Sequence, residues 1–381
     1  MAYSTEKKLG ILGGGQLGRM LIQAAIDFDI YIKAIDPDPS APCKFIAHEF
    51  VNGDFKDYQT VMSFAEDCDV ITIEIENVNL EALEELEKQG KKVFPQPAIL
   101  RKIKDKRIQK KFYADNQLPT AAFELTDNKD AVQKSSFELP FVNKLGEGGY
   151  DGRGVQLIRT KEDLQKAFEE PSLVEQMVDF EKELAVVVAR SESGEIKTFP
   201  VVEMVFHPEA NLVEYLFAPA KINEELTQKA TSLAKQTAEC FGIVGLLAVE
   251  MFLTKKGEIL INEVAPRPHN SGHHTLKANL VSQFEQHLRA ILGLPLGDTS
   301  AVGPSAMVNL LGEEGHTGPA NYEGMEDVLG LPGVHPFLYG KAITKPFRKM
   351  GHITVVDADF DKLKEKVNFV KQTLKVTSKN A

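Results

Sequence analysis

Glu250 and Glu263 are the residues best suited to metal chemistry, because they lie on two predicted strands joined by a short turn. A β-hairpin is indicated by GLLAVEMFLT and EILINEVA on either side of the residues KKG. If the turn has an even number of residues, Glu250 opposes Ile261 and shares a face with Glu263, with diagonal backbones about 7 to 8 Å apart. Two carboxylates among apolar neighbours are costly, so we expect one magnesium ion between them, with Asn262 and Asn270 as neutral donors nearby. An odd turn would put the glutamates on opposite faces and leave them as solvated strand residues.

The segment GGGQLG suits an anion, because glycine lets the backbone approach a ligand at the amino end of a helix. It follows a predicted strand and precedes a predicted helix. Gly13, Gly15 and Gly18 fit the pattern GxGxxG, and Asp36 comes eighteen residues after Gly18. This spacing is typical of a dinucleotide site, but the same turn occurs in α/β domains that bind no dinucleotide. From these residues both interpretations stay open.

The segment GEGGYDGRG, residues 146–154, is a glycine loop of a different kind, because it lies between the predicted strands PFVNK and VQLI. No GKS or GKT follows it, so it is not a Walker loop. Five glycines in nine residues would let its N–H groups fold over a triphosphate as a lid, with Lys144 at the entrance facing phosphate oxygens. A flexible linker is the simpler alternative, but a linker has no need of Tyr150, Asp151 and Arg153.

Two clusters of cationic side chains follow in the second half of the chain. The first lies in EVAPRPHNSGHH and contains Arg267, His269, His273 and His274. It lacks HExxH spacing, and its prolines prevent a regular element, so an anion site is favoured over a zinc site. The second lies in YGKAITKPFRKMGH and contains Lys341, Lys345, Arg348 and Lys349. It is either a solvated face or a phosphate pocket.

These residues must be positioned by a fold of the α/β and α+β class. Apolar strands at 9–12, 30–35 and 69–75 are separated by helical patterns, which predicts a Rossmann-like parallel sheet with ligands at its carboxyl ends. Short strands and helices then alternate to about residue 295. The remaining residues have short strands and a lysine-rich terminal helix.

Composition excludes several classes of protein. The 381 residues exceed one ordinary domain, and their net charge of −11 opposes binding of nucleic acid. No apolar run is long enough to cross a membrane, and the start MAYSTEKK is too polar for a signal peptide, so we expect a cytoplasmic protein. Cys43, Cys68 and Cys240 are far apart and odd in number, and we expect three buried thiols.

The motifs GGGQLGRM, GGYDGRG, INEVAPRPHNSGHHT and RKMGHIT, taken in this order, resemble the 5-(carboxyamino)imidazole ribonucleotide synthetases. This family of purine biosynthesis has the ATP-grasp fold. The resemblance covers essentially the whole chain. It implies an amino-terminal α/β domain at 1–100, an ATP-grasp domain at 101–295 that includes the lid at 146–154, and a small carboxy-terminal domain at 296–381. It also implies a homodimer, and we expect no fused partner enzyme.

The reaction implied by the resemblance consumes ATP and bicarbonate. ATP phosphorylates bicarbonate to carboxyphosphate, and the carboxyl group passes to the exocyclic amine of 5-aminoimidazole ribonucleotide, with release of ADP and phosphate. The implied cofactors are ATP and Mg²⁺. Small-molecule substrates are the expected partners, with no nucleic acid and no membrane.

The resemblance also implies roles for the residues at matching positions. Expected contacts to ATP are Lys106, Lys144, Gly149, Tyr150, Asp151, Gly152, Arg153, Gly154, Glu175, Gln176, Met177, Val178, Glu183, His207, Asn262 and Glu263. Magnesium falls on Glu250 and Glu263. Catalytic roles fall on Asp151, Arg267, His269 and Lys341. Contacts to the ribonucleotide fall on Gln16, Glu76, Tyr150, Arg153, Lys341, Arg348 and Lys349.

Two positions depart from the family pattern. Lys106 stands where arginine is common, which keeps the charge but loses the planar fork. Residues 344–349 read TKPFRK where a motif like ARPGRK is usual, so Phe347 replaces a glycine and Lys345 an arginine.

Three other functions remain open. An NAD-dependent oxidoreductase would use the first glycine turn and Asp36, but it leaves the paired glutamates and the second glycine loop without a role. A formate-dependent ATP-grasp ligase of purine metabolism, or one that uses an amino acid, would share the nucleotide site. A nucleotide-sensing module would bind ATP without turnover.

Overall fold

The computed structural model describes residues 4–148, 154–207 and 212–379. Its amino-terminal part is a five-stranded parallel sheet in the order β3-β2-β1-β4-β5. The strands are β1 (Lys8–Leu12), β2 (Tyr31–Asp36), β3 (Glu49–Asn52), β4 (Val70–Ile73) and β5 (Lys92–Val93). The helices between them are α1 (Gln16–Ile26), α2 (Tyr58–Ala65) and α3 (Leu80–Lys88). The predicted parallel sheet is confirmed, and its apolar strands are buried by helices, as such sheets require.

Two consecutive helices lead from this sheet to a four-stranded antiparallel sheet in the order β6-β9-β7-β8. The helices are α4 (Pro97–Lys104) and α5 (Lys106–Asp115). The strands are β6 (Phe123–Thr126), β7 (Phe141–Leu145), β8 (Val155–Ile158) and β9 (Ser172–Gln176), and a short helix, α6 (Lys129–Gln133), connects β6 to β7. Strands β7 and β8 pair on either side of the glycine-rich segment, with Lys144 opposite Val155. The strand-to-strand position expected for that segment is therefore confirmed.

A larger sheet extends through the rest of the chain in the order β15-β14-β10-β12-β13-β16-β20-β18, with β11 beside β10. Its first elements are β10 (Phe180–Arg190), β11 (Ile196–Thr198), β12 (Val202–Phe206), β13 (Val213–Ala218), α7 (Glu224–Phe241), β14 (Gly245–Thr254) and β15 (Ile259–Ala265). After these come α8 (Thr275–Ala278), α9 (Gln283–Ile291), β16 (Ser305–Leu311), β17 (Gly318–Glu323), α10 (Met325–Leu329), β18 (Val334–Leu338), β19 (Ile343–Thr344), β20 (Lys349–Val356), α11 (Phe360–Thr373) and β21 (Lys375–Ser378). Strands β19, β17 and β21 form a separate small sheet. The large sheet continues past residue 295. The domain boundaries expected at 100 and 295 stay predictions.

The hairpin β14–β15 exists as predicted, but its predicted register was wrong. The Thr254 N–H donates to the Glu258 carbonyl at 2.9 Å across three turn residues, and Leu253 pairs with Ile259, so the turn is odd. A regular ladder from this turn would place the two glutamates on opposite faces. A β-bulge shifts the register between Met251 and Glu250, and Glu250 pairs directly with Glu263.

The largest core cluster packs α7 and neighbouring helical residues against β10, β14 and β15. Cys43 and Cys68 are buried free thiols as expected, whereas Cys240 on α7 is only partly buried, which corrects the expectation for that residue. Across the described residues, the helices are all too short or too polar to cross a bilayer.

Candidate active site

The site is built around Lys144 at the end of β7 and Lys106 at the start of α5. Lys144 Nζ lies 2.7 Å from Glu175 Oε2 and donates to Asn262 Oδ1 at 3.0 Å. Lys106 Nζ lies 2.6 Å from Glu263 Oε2. The four-stranded sheet and the hairpin thus bring two ammonium groups to one place, where they can neutralise phosphate oxygens.

Glu250 and Glu263 face each other across the hairpin. Burial, together with the neighbouring Glu263 carboxylate, raises the pKa of Glu250 to about 8. Lys106 has the opposite effect on its partner and lowers the pKa of Glu263 to about 2. One of the two adjacent carboxyl groups therefore resists ionisation. A divalent cation bound between them would relieve the repulsion that causes this.

Magnesium fits this pair of side chains, because a hard cation in a nucleotide site takes one or two carboxylates and completes its shell with phosphate oxygens and water. Asn262 is the bulge residue between the partners of Met251 and Glu250, and its amide oxygen accepts from Lys144. Asn270, the other neutral donor expected, exchanges two side-chain hydrogen bonds with Asn309 instead. Among the described residues, no group of three or more His, Cys, Asp or Glu side chains is placed to hold a metal ion.

Arg267 and His269 follow β15, the strand that carries Glu263. Arg267 Nε lies 2.9 Å from Glu76 Oε1, which comes from the loop after β4, and His269 Nε2 lies 3.5 Å from Glu250 Oε1. Gln283 on α9 holds the loop, because it accepts from the His269 N–H and donates to the His269 carbonyl. The imidazole thus lies at the paired carboxylates, and the guanidinium two residues before it lies at Glu76.

The lysine-rich segment of the carboxy-terminal part reaches the site at one end. Lys349 is close enough to Glu250 to oppose the rise in its pKa, and Lys341 Nζ donates to the Lys349 carbonyl at 2.7 Å. Arg348 lies near Asp38, whose pKa is lowered by hydrogen bonds from Ser40 and also by this guanidinium. The segment therefore extends between the hairpin and the amino-terminal sheet.

Phe347 has a φ of +60°, a left-handed backbone conformation that favours glycine. This explains why a glycine would suit the position. The Phe347 ring packs against His207, with the ring centroids 5.7 Å apart. His207, an expected ATP contact, lies against this segment and not among the hydrogen-bond partners described for Lys144 and Lys106.

The remaining expected contacts to ATP that the structure describes lie just before β8, on β9 and β10, and in the connection between β9 and β10. Gln176, Met177 and Val178 line a cavity of about 590 Å³ together with Pro140. Burial raises the pKa of Glu183 to about 7, with Lys144 and Glu263 close enough to act on it. Gly154 has a φ of +79° and precedes β8. The expected residues Gly149, Tyr150, Asp151, Gly152 and Arg153 lie outside the described residues.

The first glycine turn is occupied by side chains of the protein itself. Glu74 accepts hydrogen bonds from the N–H groups of Gly15 and Leu17, and Asp36 accepts from Gly14 at 2.8 Å. Burial raises the pKa of Glu74, although these N–H groups oppose the shift. Gln16 is the first residue of α1 beside this carboxylate. The sequence analysis missed Glu74; its signal was an acidic residue just after the strand next to the glycine turn.

We expect no NAD or NADP binding, because two carboxylates occupy the amides that a pyrophosphate would need. Titration calorimetry with each dinucleotide checks this in the wild type and in Asp36→Ala. Saturable binding by the wild type that Asp36→Ala abolishes would contradict it.

A four-stranded antiparallel sheet and a hairpin that together hold two lysines and paired acids, with a glycine-rich connection between two strands, define the class of ATP-grasp proteins. Residues 111–284 match the ATP-grasp domain family. Residues 6–104 match the ribonucleotide synthetase preATP-grasp domain, and residues 305–366 match the phosphoribosylaminoimidazole carboxylase C-terminal domain. The chain belongs to the N5-carboxyaminoimidazole ribonucleotide synthase family of ATP-grasp proteins.

Individual relatives support this assignment. The N5-carboxyaminoimidazole ribonucleotide synthase of Bacillus subtilis is 39% identical over 353 residues, covering 91% of this chain and 90% of that protein. The crystal structure of the synthetase from Thermotoga maritima is 42% identical with a TM-score of 0.92, covering 98% of this chain and 100% of that one. The synthase of Aspergillus clavatus, in complex with ADP and 5-aminoimidazole ribonucleotide, is 32% identical with a TM-score of 0.89, covering 97% and 98%.

Several plant and yeast relatives are longer proteins. The chain spans 65% and 66% of two of them, both named phosphoribosylaminoimidazole carboxylase.

Proposed function

We propose that the protein uses ATP and bicarbonate to carboxylate the exocyclic amine of 5-aminoimidazole ribonucleotide, giving N5-carboxyaminoimidazole ribonucleotide, ADP and phosphate. The observation that carries the proposal is the convergence of Lys144, Lys106 and the Glu250–Glu263 pair on the loop that holds Arg267 and His269. The relatives support the choice of substrate, since one of them is named as a complex with this ribonucleotide.

Bicarbonate is a poor electrophile, so the first step must activate it. A bicarbonate oxygen attacks the γ-phosphorus of ATP, ADP leaves, and the product is carboxyphosphate, a mixed anhydride. Lys144 and Lys106 offset the negative charge on the transferring phosphoryl group. Magnesium held by Glu250 and Glu263 would neutralise charge on the phosphate oxygens.

Arg267 is the group that we propose binds bicarbonate, because a guanidinium can hold a carboxylate-like anion with two hydrogen bonds. Its ion pair with Glu76 fixes its direction. In the second step the amine attacks the carboxyl carbon, phosphate leaves, and a proton is lost from nitrogen. His269 and Lys341 are proposed to act on the anions of this step; Asp151 stays a proposal for orienting the amine.

The ribonucleotide is proposed to lie between the amino-terminal sheet and the lysine-rich segment. Gln16 and Glu76 would contact it from the side of the amino-terminal sheet, and Lys341, Arg348 and Lys349 from the side of the lysine-rich segment. Tyr150 and Arg153 remain proposed contacts. The homodimer, the cytoplasmic location and the use of magnesium are likewise proposals that follow from the family.

The test is ADP release measured by a coupled assay with 5-aminoimidazole ribonucleotide, bicarbonate and magnesium ATP, each omitted in turn. We expect release to need all three. Formate replacing bicarbonate without loss of rate would favour a formate-dependent ligase. ATP binding without ADP release under any combination would favour a nucleotide-sensing module.

A further inference from the structure

Lys110 is a buried charged residue that none of the steps above uses. It lies on α5 one helical turn after Lys106, and its side chain is 3% exposed. Its Nζ lies 2.8 Å from Glu175 Oε1 and donates to Thr120 Oγ1. Burial lowers the pKa of Lys110 to about 8, although Glu175 opposes the shift. An apolar side chain of the same length would fill this space without the cost of burying a charge, so the charge needs a reason.

Glu175 connects Lys110 to the lysine of the nucleotide site. Its other oxygen, Oε2, lies 2.7 Å from Lys144 Nζ. Burial alone would raise the pKa of Glu175, but the two lysines hold it at about 2. The carboxylate is thus ionised between two cations, of which Lys110 is more deeply buried than Lys144.

The contacts close into a ring that joins three parts of the fold. Thr120 Oγ1 donates to the Ile261 carbonyl at 2.7 Å, and the next residue along β15, Asn262, accepts from Lys144. We call this set the Lys110 ring; its members are Lys110, Glu175, Lys144, Asn262, Ile261 and Thr120. It ties α5 and the four-stranded sheet to the hairpin that carries the paired glutamates.

We propose that Lys110 is a positioning residue for nucleotide binding: it is the permanent counter-ion of Glu175, which allows Lys144 to exchange that carboxylate for phosphate oxygens. Without Lys110, Glu175 would have Lys144 as its nearest cation and would compete with the nucleotide for it. The site would also lose one positive charge. This inference rests on the proposed use of ATP.

Lys110→Met is expected to raise the dissociation constant of magnesium ATP about tenfold, the size of one weakened charge-assisted hydrogen bond. The rate at saturating ATP should change less than about threefold, because the loss is mainly of binding that ground and transition states share. Adding Glu175→Gln removes the competing charge and keeps the side-chain shape. Because Glu175 is itself an expected ATP contact, Glu175→Gln alone is the reference, and the double variant Lys110→Met/Glu175→Gln should match its affinity to within about threefold.

The matched control is Lys111→Met, which makes the same change at an exposed position of the same helix. It should leave the affinity unchanged. Calorimetric titration measures the wild type and the four variants, and thermal unfolding gives the folded fraction of each. Unchanged affinity in folded Lys110→Met would overturn the proposal, as would a double variant that is about tenfold weaker than Glu175→Gln. If Lys110→Met does not fold, Lys110→Gln takes its place, because it also removes the charge but keeps a hydrogen-bond donor for Thr120 and Glu175, and the same outcomes apply.

The same titration separates this proposal from the proposed reaction. Wild-type protein that binds ATP but releases no ADP with bicarbonate and aminoimidazole ribonucleotide would overturn the reaction only. Rescue or its failure in the double variant would still decide the role of Lys110. Wild-type protein that binds no ATP would overturn both.

Discussion

Glu263→Gln is expected to slow ADP formation by about 100-fold or more and to weaken magnesium binding. The change keeps the side-chain shape and deletes one of the two facing carboxylates. A divalent cation between protein and triphosphate contributes several kcal/mol of charge stabilisation in the transition state, and half of its protein ligands would be gone. ADP formation with magnesium titrated in each variant measures the effect.

The decisive comparison is a double-mutant cycle with Glu250→Gln. If both glutamates serve one ion, the double variant should lose much less than the product of the two single losses. Glu258→Gln is the matched control, because Glu258 is an exposed glutamate of the same hairpin turn. Strictly multiplicative losses, or a magnesium dependence that does not move, would mean that the pair does not share a metal ion.

The fold should survive Glu263→Gln. Removing the carboxylate relieves repulsion with Glu250 but also breaks the 2.6 Å ion pair with Lys106. These effects oppose each other, so we expect only a small change in the unfolding temperature. The ion pair with Lys106 was not foreseen from the sequence.

Arg267→Lys is expected to reduce the carboxylation rate by about 100-fold while the affinity for ATP is retained. A lysine keeps the charge but cannot give two parallel hydrogen bonds to bicarbonate, and loss of one preorganised donor in a reacting site has an effect of this size. Lysine also cannot reproduce the geometry of the 2.9 Å contact between Arg267 Nε and Glu76. Steady-state rates over a range of bicarbonate concentrations measure the loss.

Arg289→Lys provides the control for this substitution. Arg289 on α9 forms an ion pair with Glu285 at 2.7 Å and has no proposed role in the reaction. We expect its rate to match the wild type. A normal rate for Arg267→Lys at saturating bicarbonate would remove Arg267 from the bicarbonate site.

Local patterns gave most of the secondary structure around the site. The apolar strand before GGGQLG, the strands on either side of residues 146–154 and the β14–β15 hairpin all depend on neighbours a few residues away, and all are confirmed. The closeness of Arg267 and His269 is likewise a matter of chain continuity. Periodicity and turn residues act over this range, so sequence is sufficient there.

The pairing of Glu250 with Glu263 could not be predicted from neighbouring residues alone. Their sharing of a face was predicted, but through an even turn, whereas the protein has an odd turn and a bulge at Asn262. The bulge residue receives a hydrogen bond from Lys144 on another sheet. A ladder irregularity of this kind depends on partners outside the hairpin, and the hairpin's own residues do not reveal it.

The sequence by itself determined the class of fold, the two glycine segments and the residue types of the site. Tertiary structure decided what those residues contact: Glu74 fills the first glycine turn, Glu76 holds Arg267, and Lys110 reaches Lys144 through Glu175. The physical reason is that each buried charge must find a partner, and its partner is whichever group the packing of distant segments brings within a few ångströms. Strand and helix periodicity carry no information about that choice.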